Sequence, residues 1–260
     1  MMIKDAIAAG GPTPAAAGSV SLVGAGPGSG NLITLRGVQR PQEADIIFYD
    51  RLIDDAVLEL ARPDAERVFV GKTPGLATWP QDRINGVVVA AARQGKRVVR
   101  LKCGDPGIFA RGAEEAAALD AAGIAWEIVP GVTAASAAAA AAGAFLTERC
   151  STDTVVLTTG QSCGQSTAPD WASSLRPGVT LAIYMGVSAA ARIQGALAAA
   201  GHDPNLQADI AAAVGTQSER HVRTTLGRLA ATIAEEKLMN PAILIIRCPK
   251  PAHAVAASAA

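Results

Sequence analysis

The sequence predicts an α/β fold of two domains, and three observations support this prediction. Short apolar runs alternate with helical segments in the first half of the chain, and the first run leads directly into a glycine-rich turn. A second series of strands and helices follows an alanine-rich segment over 134–142. With 260 residues, 50% of them hydrophobic, the chain is long enough to bury two small cores.

The first half of the chain predicts five strands and four helices. The strands cover 20–23, 45–49, 67–70, 97–101 and 126–129, and the helices cover 34–42, 54–60, 81–92 and 112–121. Because strands and helices alternate, the strands are expected to form a parallel sheet with helices on its faces.

The second half predicts a further domain of strands and helices. The strands cover 154–158, 180–184, 209–214, 221–225 and 242–246, and the helices cover 189–200 and 226–237. The alanine-rich helix over 134–142 is interpreted as a bridge between the domains. The resulting organisation is a disordered leader at 1–18, domains at 19–133 and 134–250, and a disordered tail at 251–260.

The charge balance and the cysteines narrow the function classes. The chain has 23 basic and 23 acidic residues, so no overall field favours nucleic acid or an anionic membrane. No apolar run is long enough to predict a membrane span. The cysteines form no CxxC pair, which argues against a metal site or a disulfide framework and favours reduced thiols in the cytoplasm. They are Cys103, Cys150, Cys163 and Cys248.

The loop over 24–30 follows the first predicted strand and lets the backbone approach a ligand closely. A dinucleotide-binding GxGxxG motif needs glycine where the chain has Ser29, and Pro27 has no N–H for a phosphate. Both residues weigh against a nicotinamide-dependent dehydrogenase, which stays an alternative. The loop taken alone is equally typical of a strand-to-helix turn without a ligand.

Further motifs follow this loop along the chain. They are Ile33, Thr34 and Leu35; Tyr49, Asp50, Arg51 and Leu52; Val70, Gly71 and Lys72; Gly104, Asp105 and Pro106; Arg111 and Gly112 with Glu114 and Glu115; Val129, Pro130 and Gly131 with Thr133 and Ala134; and Tyr184, Met185 and Gly186. In order and spacing the chain resembles the uroporphyrinogen-III C-methyltransferases of the tetrapyrrole methylase family, over about residues 19–250. The resemblance implies two α/β domains of the tetrapyrrole methylase type, with the active site in the cleft between them.

The activity that the resemblance implies is S-adenosylmethionine-dependent methylation of uroporphyrinogen III at two ring carbons, to give precorrin-2 for sirohaem, cobalamin or haem d1. It also implies a homodimer. A methyltransferase of the same fold that acts on a later precorrin is one alternative, and a catalytically silent cofactor-binding homologue is another. The pattern of Arg111 and Gly112 with Glu114 and Glu115 favours the earlier substrate.

The resemblance also assigns the cofactor-binding residues. They are Pro27, Cys103, Gly104, Asp105, Ile108, Thr133, Ala134, Met185 and Gly215. Most are small or apolar, as expected where backbone groups make the hydrogen bonds. For Met185 taken alone, packing in the core is the alternative.

Methylation of a pyrrole carbon leaves a cationic intermediate that must lose a proton, so the site needs a proton acceptor. The resemblance assigns Asp50 as this acceptor and Lys72 as a proton donor, and both follow predicted strands. The alternatives are a turn or helix N-cap role for Asp50 and a solvated surface position for Lys72.

The substrate carries several carboxylates, which arginine can bind through two parallel hydrogen bonds. Arg111 is predicted to bind one of them, with Glu114 holding Arg111 or orienting a pyrrole N–H. An ordinary surface pair at i and i+3 is the alternative.

Seven positions depart from the family pattern. Cys103, Ala110 and Ala113 stand where glycine is usual, Ser29 and Gly107 replace aspartate and phenylalanine, and Glu148 and Gln161 stand where histidine is common. An added Cβ matters only where φ is positive or the backbone touches a ligand.

Overall fold

A computed structural model describes residues 18–71, 79–161 and 168–251 of the chain. The chain divides into two compact units, Met1–Thr133 and Ala134–Ala260. Each unit contains a five-stranded sheet with helices, which confirms the predicted two-domain α/β fold. The predicted leader, except for Gly18, and the predicted tail, except for Pro251, lie outside the described residues.

The sheet of the first unit is parallel throughout, in the order β3-β2-β4-β1-β5. Its strands are β1 (Val20–Gly24), β2 (Ile46–Tyr49), β3 (Glu66–Phe69), β4 (Val98–Lys102) and β5 (Trp126–Val129). Its helices are α1 (Leu35–Glu43), α2 (Asp55–Glu59), α3 (Gln81–Arg93) and α4 (Gly112–Ala121). The predicted parallel sheet is confirmed, and the bounds of its elements differ from prediction by at most one residue.

Both faces of this sheet are covered by apolar clusters. Leu22 and Val98 belong to the cluster on the side of α3 and α4, and Val99 and Leu101 belong to the cluster on the opposite side. A strand buried on both faces is expected to be apolar along its whole length. Strand β4 departs from this rule, because Arg100 and Lys102 are also buried.

Two side chains fix the starts of the first helices. Thr34 accepts a hydrogen bond from the backbone N–H of Gly37, and Asp54 accepts one from the backbone N–H of Ala56. These are N-cap bonds, which provide acceptors for backbone N–H groups of the first turn that have no partner within the helix. The second carboxylate oxygen of Asp54 accepts from the backbone N–H of Gly30 at 2.8 Å, so the same side chain also holds the loop after β1.

Three glycines meet where β1, β4 and β5 end. A Cβ atom placed on Gly131 would lie 2.2 Å from the carbonyl oxygen of Gly104, and one on Gly24 would lie 2.6 Å from the nitrogen of Gly131. Such distances leave no space for any side chain. The three strand ends therefore pack backbone against backbone.

The sheet of the second unit is mixed, in the order β6-β7-β10-β8-β9. Its strands are β6 (Thr154–Thr159), β7 (Val179–Tyr184), β8 (Gln207–Ala212), β9 (Arg220–Thr225) and β10 (Ala242–Cys248). Its helices are α5 (Ala134–Ala141), α6 (Trp171–Ser174), α7 (Ala190–Ala199) and α8 (Leu229–Glu235). Strands β6 and β7 are parallel, and β10 runs antiparallel to both β7 and β8.

Several predictions for the second unit were wrong in detail. Helix α5 is not a bridge, because its buried alanines pack on β8 and β10 of the second sheet. Strand β8 ends at Ala212 rather than at 214, since Ala213 has a φ of 50° and leaves the extended conformation. Helix α6 was not predicted, and the helix predicted over 226–237 is a 3₁₀ turn followed by α8.

None of the helices within the three described ranges is long and apolar enough to cross a membrane.

A buried carboxylate ties the last strands of the second sheet together. The side chain of Asp209 on β8 is 0% exposed. Burial raises its pKa, but hydrogen bonds from four neighbouring side chains outweigh this effect and lower the pKa to about 2. These neighbours are Gln207, Arg223, Arg247 and His221.

Replacing Asp209 with asparagine should lower the free energy of unfolding by roughly 2 kcal/mol or more at pH 7, because the folded-state pKa lies well below the ordinary value of 3.8. A lowered carboxyl pKa stabilises the fold fully above about pH 4, and this contribution is lost as the pH falls towards 2. Urea unfolding of both proteins should show that the difference in their free energies of unfolding becomes smaller as the pH falls from about 4 to 2. A difference that is independent of pH would contradict the role of the charge.

Replacing Gly131 with alanine should lower the free energy of unfolding by roughly 1–3 kcal/mol or more, because the new Cβ overlaps the carbonyl oxygen of Gly104. Gly86→Ala is the matched control: Gly86 lies in α3 with no atom within 4 Å of an added Cβ, so alanine should stabilise the helix by about 1 kcal/mol. Denaturant unfolding of the two variants should therefore give changes of opposite sign. Equal stability of Gly131→Ala and the unaltered chain would refute the tight packing.

Candidate active site

The loops that follow β1 and β4 are joined at the carboxyl edge of the first sheet, where ligands of open parallel sheets commonly bind. The backbone N–H of Gly104 donates to the carbonyl of Gly26 at 2.9 Å, and the N–H of Gly26 donates to the carbonyl of Gly104 at 3.3 Å. Pro27 is buried beside this bridge, and Cys103 directly precedes Gly104. Both predicted cofactor residues therefore lie on loops that are held together.

Asp105 connects the same loops to the segment after β5. Its carboxylate accepts from the backbone N–H of Gly107 at 2.7 Å and from that of Gly131 at 3.0 Å. Ile108 follows in the same turn, with its N–H donating to the carbonyl of Asp105 at 3.2 Å. In this structure Asp105 organises the backbone around the predicted site, and its contact with a cofactor stays a prediction.

The predicted cofactor residues of the second unit lie at one edge of the second sheet. Strands β7 and β8 run in the same direction, because both are antiparallel to β10, and their carboxyl ends flank its start. Met185 directly follows β7, and Gly215 lies in the loop after β8. The hydroxyl of Tyr184 accepts from the backbone N–H of Ala135 at 3.1 Å, which brings Ala134 to the same edge.

The predicted cofactor residues therefore form two groups. Those of the first unit are Pro27, Cys103, Gly104, Asp105, Ile108 and Thr133, and those of the second are Ala134, Met185 and Gly215. The expected location of the site between the domains stays a prediction.

Non-glycine residues with positive φ occur in these loops. Phe109 has a φ of 50°, Arg111 of 58° and Met185 of 54°. Such backbone conformations are costly for side-chain-bearing residues and tend to concentrate at functional sites. Cys103, Ala110 and Ala113, which replace the usual glycines, have no positive φ, so the added Cβ atoms cause no backbone strain.

Asp50 directly follows β2 with a side chain that is 31% exposed. One carboxylate oxygen accepts from the backbone N–H of Leu52 at 3.2 Å, so the turn role considered for this residue is present. The other oxygen lies 3.5 Å from Nη2 of Arg100. Asp50 is thus a turn residue that also faces a buried cation. The predicted proton donor Lys72 lies outside the described residues.

A cluster of buried charges lies beneath Asp50 and consists of Arg100 and Lys102 on β4 with Glu115 on α4. Nζ of Lys102 is 2.8 Å from each carboxylate oxygen of Glu115, and Nε of Arg100 is 3.2 Å from one of them. Gln81 donates to the same oxygen at 3.3 Å. Burial lowers the pKa of Lys102, the charge of Arg100 lowers it further, and Glu115 opposes both effects.

Sequence reasoning did not select this buried cluster as part of the site. The sequence nevertheless contained a signal for it. Positions 98, 100 and 102 of a strand lie on one face, so Arg100 and Lys102 share the covered face of β4 with Val98. Two buried cations require buried partners of opposite charge.

Arg111 and Glu114 form a bidentate pair on the surface. Nε of Arg111 is 2.7 Å from Oε1 of Glu114, and Nη2 is 2.5 Å from Oε2. Arg111 holds the pKa of Glu114 below its ordinary value through this hydrogen bond. The i, i+3 pair considered as the alternative is therefore formed, and substrate binding by Arg111 stays a prediction.

Cys103 replaces a glycine of the family pattern at the end of β4. Burial raises the pKa of its thiol to about 11, and the negative charge of Asp50 contributes to the increase. The thiol is therefore neutral near pH 7 and unsuited to act as a nucleophile. Within the described residues, no three His, Cys, Asp or Glu side chains are grouped as metal ligands.

The sequence of the chain is similar to that of known proteins. Residues 19–230 match the family described as Tetrapyrrole (Corrin/Porphyrin) Methylases. The siroheme synthase of Chromobacterium violaceum is 45% identical over 244 residues, which cover 94% of this chain and 52% of that protein. The chain therefore spans about half the length of the siroheme synthases that it matches.

Two solved structures share the fold over 88% of this chain. The uroporphyrin-III C-methyl transferase of Thermus thermophilus, complexed with S-adenyl homocysteine, is 35% identical, with a TM-score of 0.74 and 92% of that chain covered. A cobalt precorrin-4 methyltransferase is 28% identical, with a TM-score of 0.76 and 95% of that chain covered. Together with the family match, these similarities confirm the predicted resemblance: the chain belongs to the tetrapyrrole (corrin/porphyrin) methylases.

Proposed function

We propose that this chain transfers methyl groups from S-adenosylmethionine to two ring carbons of uroporphyrinogen III and forms precorrin-2. The observation that carries the proposal is the position of Asp50: a carboxylate that directly follows a strand of the parallel sheet and lies 3.5 Å from the buried guanidinium of Arg100. The 35% identity to the uroporphyrin-III C-methyl transferase of Thermus thermophilus supports this choice of substrate.

The loops of the first unit fit an adenosine-containing ligand. Gly26 and Gly28 have φ values of 75° and 79°, and the three glycines at the strand ends exclude side chains from the same region. Backbone groups can therefore approach a ligand closely. The neutral thiol of Cys103 adds no negative charge there. We assign the adenosine-binding role to these loops.

S-adenosylmethionine supplies an electrophilic methyl group on a sulfonium. The protein's main task is to hold the acceptor carbon in line with that methyl group. Asp50 accepts the proton that the ring loses after methylation. Lys72 is the proton donor that the family resemblance assigns. Arg111 binds a substrate carboxylate through its planar guanidinium and releases part of its pairing with Glu114 as it does so.

A later precorrin is the second candidate substrate, and the TM-score of 0.76 to a cobalt precorrin-4 methyltransferase is the observation that favours it. The sequence identity to that enzyme is 28%, against 35% for the uroporphyrin-III C-methyl transferase. The residues of a site determine the substrate more directly than the shared fold does, so the higher sequence identity outweighs the small difference in TM-score. We therefore retain uroporphyrinogen III.

We further propose a cytoplasmic homodimer. Large apolar side chains are exposed at Leu35, Phe145 and Met239, and burying them between subunits would add to a core that is poor in aromatic residues. The free thiols of Cys103, Cys150 and Cys248 fit a reducing compartment.

Incubation with uroporphyrinogen III and S-adenosylmethionine should yield a product with two added methyl groups, measured by mass spectrometry. Asp50→Asn should retain binding of S-adenosylhomocysteine in calorimetry and lose methyl transfer by about a hundredfold, because the amide cannot accept the proton. Asp55→Asn, at an exposed position in the first turn of α2, is the matched control and should keep the rate of the unaltered chain.

Other results would overturn parts of this proposal. Methylation of a later precorrin instead of uroporphyrinogen III would establish the second candidate. Cofactor binding without transfer to any tetrapyrrole would identify a silent homologue. An unchanged rate for Asp50→Asn would leave that residue only its turn role with Leu52.

A further inference from the structure

We propose that Arg100 is a positioning residue for methyl transfer: Glu115, which also binds Lys102, holds the Arg100 guanidinium beside Asp50, where it orients the Asp50 carboxylate. The inference rests on the proposed function, in which Asp50 accepts the proton. It adds a buried set of charges that acts through Asp50 without touching the substrate.

The guanidinium of Arg100 has a fixed orientation. Its side chain is 5% exposed. Nη1 donates to the carbonyl of Leu101 at 2.7 Å and to that of Phe48 at 3.5 Å, and Nε donates to Glu115 at 3.2 Å. With these partners on β2, β4 and α4, Nη2 is directed towards Asp50, at 3.5 Å from Oδ2.

Glu115 is the centre of the cluster. Its side chain is 3% exposed, and one of its oxygens contacts Arg100, Lys102 and Gln81 while the other contacts Lys102 alone. A carboxylate with this many donors has one stable position. Glu115 therefore holds both cations of β4 at fixed distances from the strand end.

Asp50, Arg100, Glu115 and Lys102 form a chain of ion pairs. Asp50 lies 3.5 Å from Arg100, Arg100 lies 3.2 Å from Glu115, and Glu115 lies 2.8 Å from Lys102. Each buried charge therefore has a partner of opposite charge, which offsets part of the cost of burying it. Removal of Arg100 would leave the Asp50 carboxylate without the cation that orients it.

Arg100 is the cation that the structure pairs directly with Asp50. Glu115 binds Arg100 in turn, at 3.2 Å from its Nε. Removal of Arg100 should therefore free the Asp50 carboxylate, and removal of Glu115 should loosen it indirectly through Arg100.

The test compares Arg100→Gln, Glu115→Gln and Arg100→Lys in the complete chain, with uroporphyrinogen III and S-adenosylmethionine as substrates. Arg100→Gln should lower kcat about tenfold or more and change the KM for uroporphyrinogen III less than about threefold, because the carboxylate loses the group that orients it. Glu115→Gln should lower kcat by a smaller factor, because Arg100 keeps its hydrogen bonds to the carbonyls of Leu101 and Phe48. The affinity for S-adenosylhomocysteine should stay within about twofold in both variants.

Arg100→Lys keeps the charge and is the variant expected to fold if glutamine at this position is not tolerated. It should recover only part of kcat, because an ammonium cannot make the same set of directed hydrogen bonds. Arg97→Gln is the matched control. Arg97 pairs with Asp45 at the opposite end of β4, and its replacement should affect thermal stability without lowering kcat.

The outcomes separate the two proposals. No methyl transfer by the unaltered chain would overturn the proposed function and this inference together. Transfer by the unaltered chain, with kcat unchanged in the Arg100 and Glu115 variants despite lower melting temperatures, would overturn this inference alone and leave the cluster a purely structural role.

Discussion

The carbonyl oxygen of Gly104 lies so close to the backbone of Gly24 and Gly131 that neither position has space for a Cβ atom. This contact joins the ends of β1, β4 and β5, and the carboxylate of Asp105 reinforces it by accepting from the N–H of Gly131. The loops that continue from these ends carry the predicted cofactor residues of the first unit. The conformation of these loops is therefore fixed by backbone packing. A ligand can bind to their backbone groups without any rearrangement of side chains.

The buried charges of β4 are the second constraint on the first unit. Removing charges from water is expensive, and apolar side chains of similar volume often serve stability equally well or better. Stability alone thus gives little reason for Arg100 and Lys102 in the centre of a parallel sheet. The contact of Arg100 with Asp50 gives a functional reason, since a partly exposed carboxylate that follows β2 is paired with a fixed cation, while Lys102 pairs with the Glu115 that holds Arg100.

Much of the first unit could be predicted from sequence, because apolar strands and amphipathic helices alternate between clear Gly and Pro boundaries. The second unit was less predictable: α5 is nearly uniform alanine and has no sequence pattern to show which face is buried, and nothing at Ala213 signals a positive φ. Motifs located the candidate site residues. They did not reveal the buried cluster, because Glu115 meets Arg100 only after a helix has folded back on the sheet.

We propose that the packed strand ends of the first unit form the cofactor-binding surface. A crystal structure of this chain with S-adenosylhomocysteine would show whether they do. We expect the ligand to contact Pro27 and the backbone of Gly104 and Ile108, with Gly24, Gly104 and Gly131 unmoved and Asp50 still paired with Arg100. Ligand bound away from these loops, or bound only after the glycine contact has opened, would contradict it.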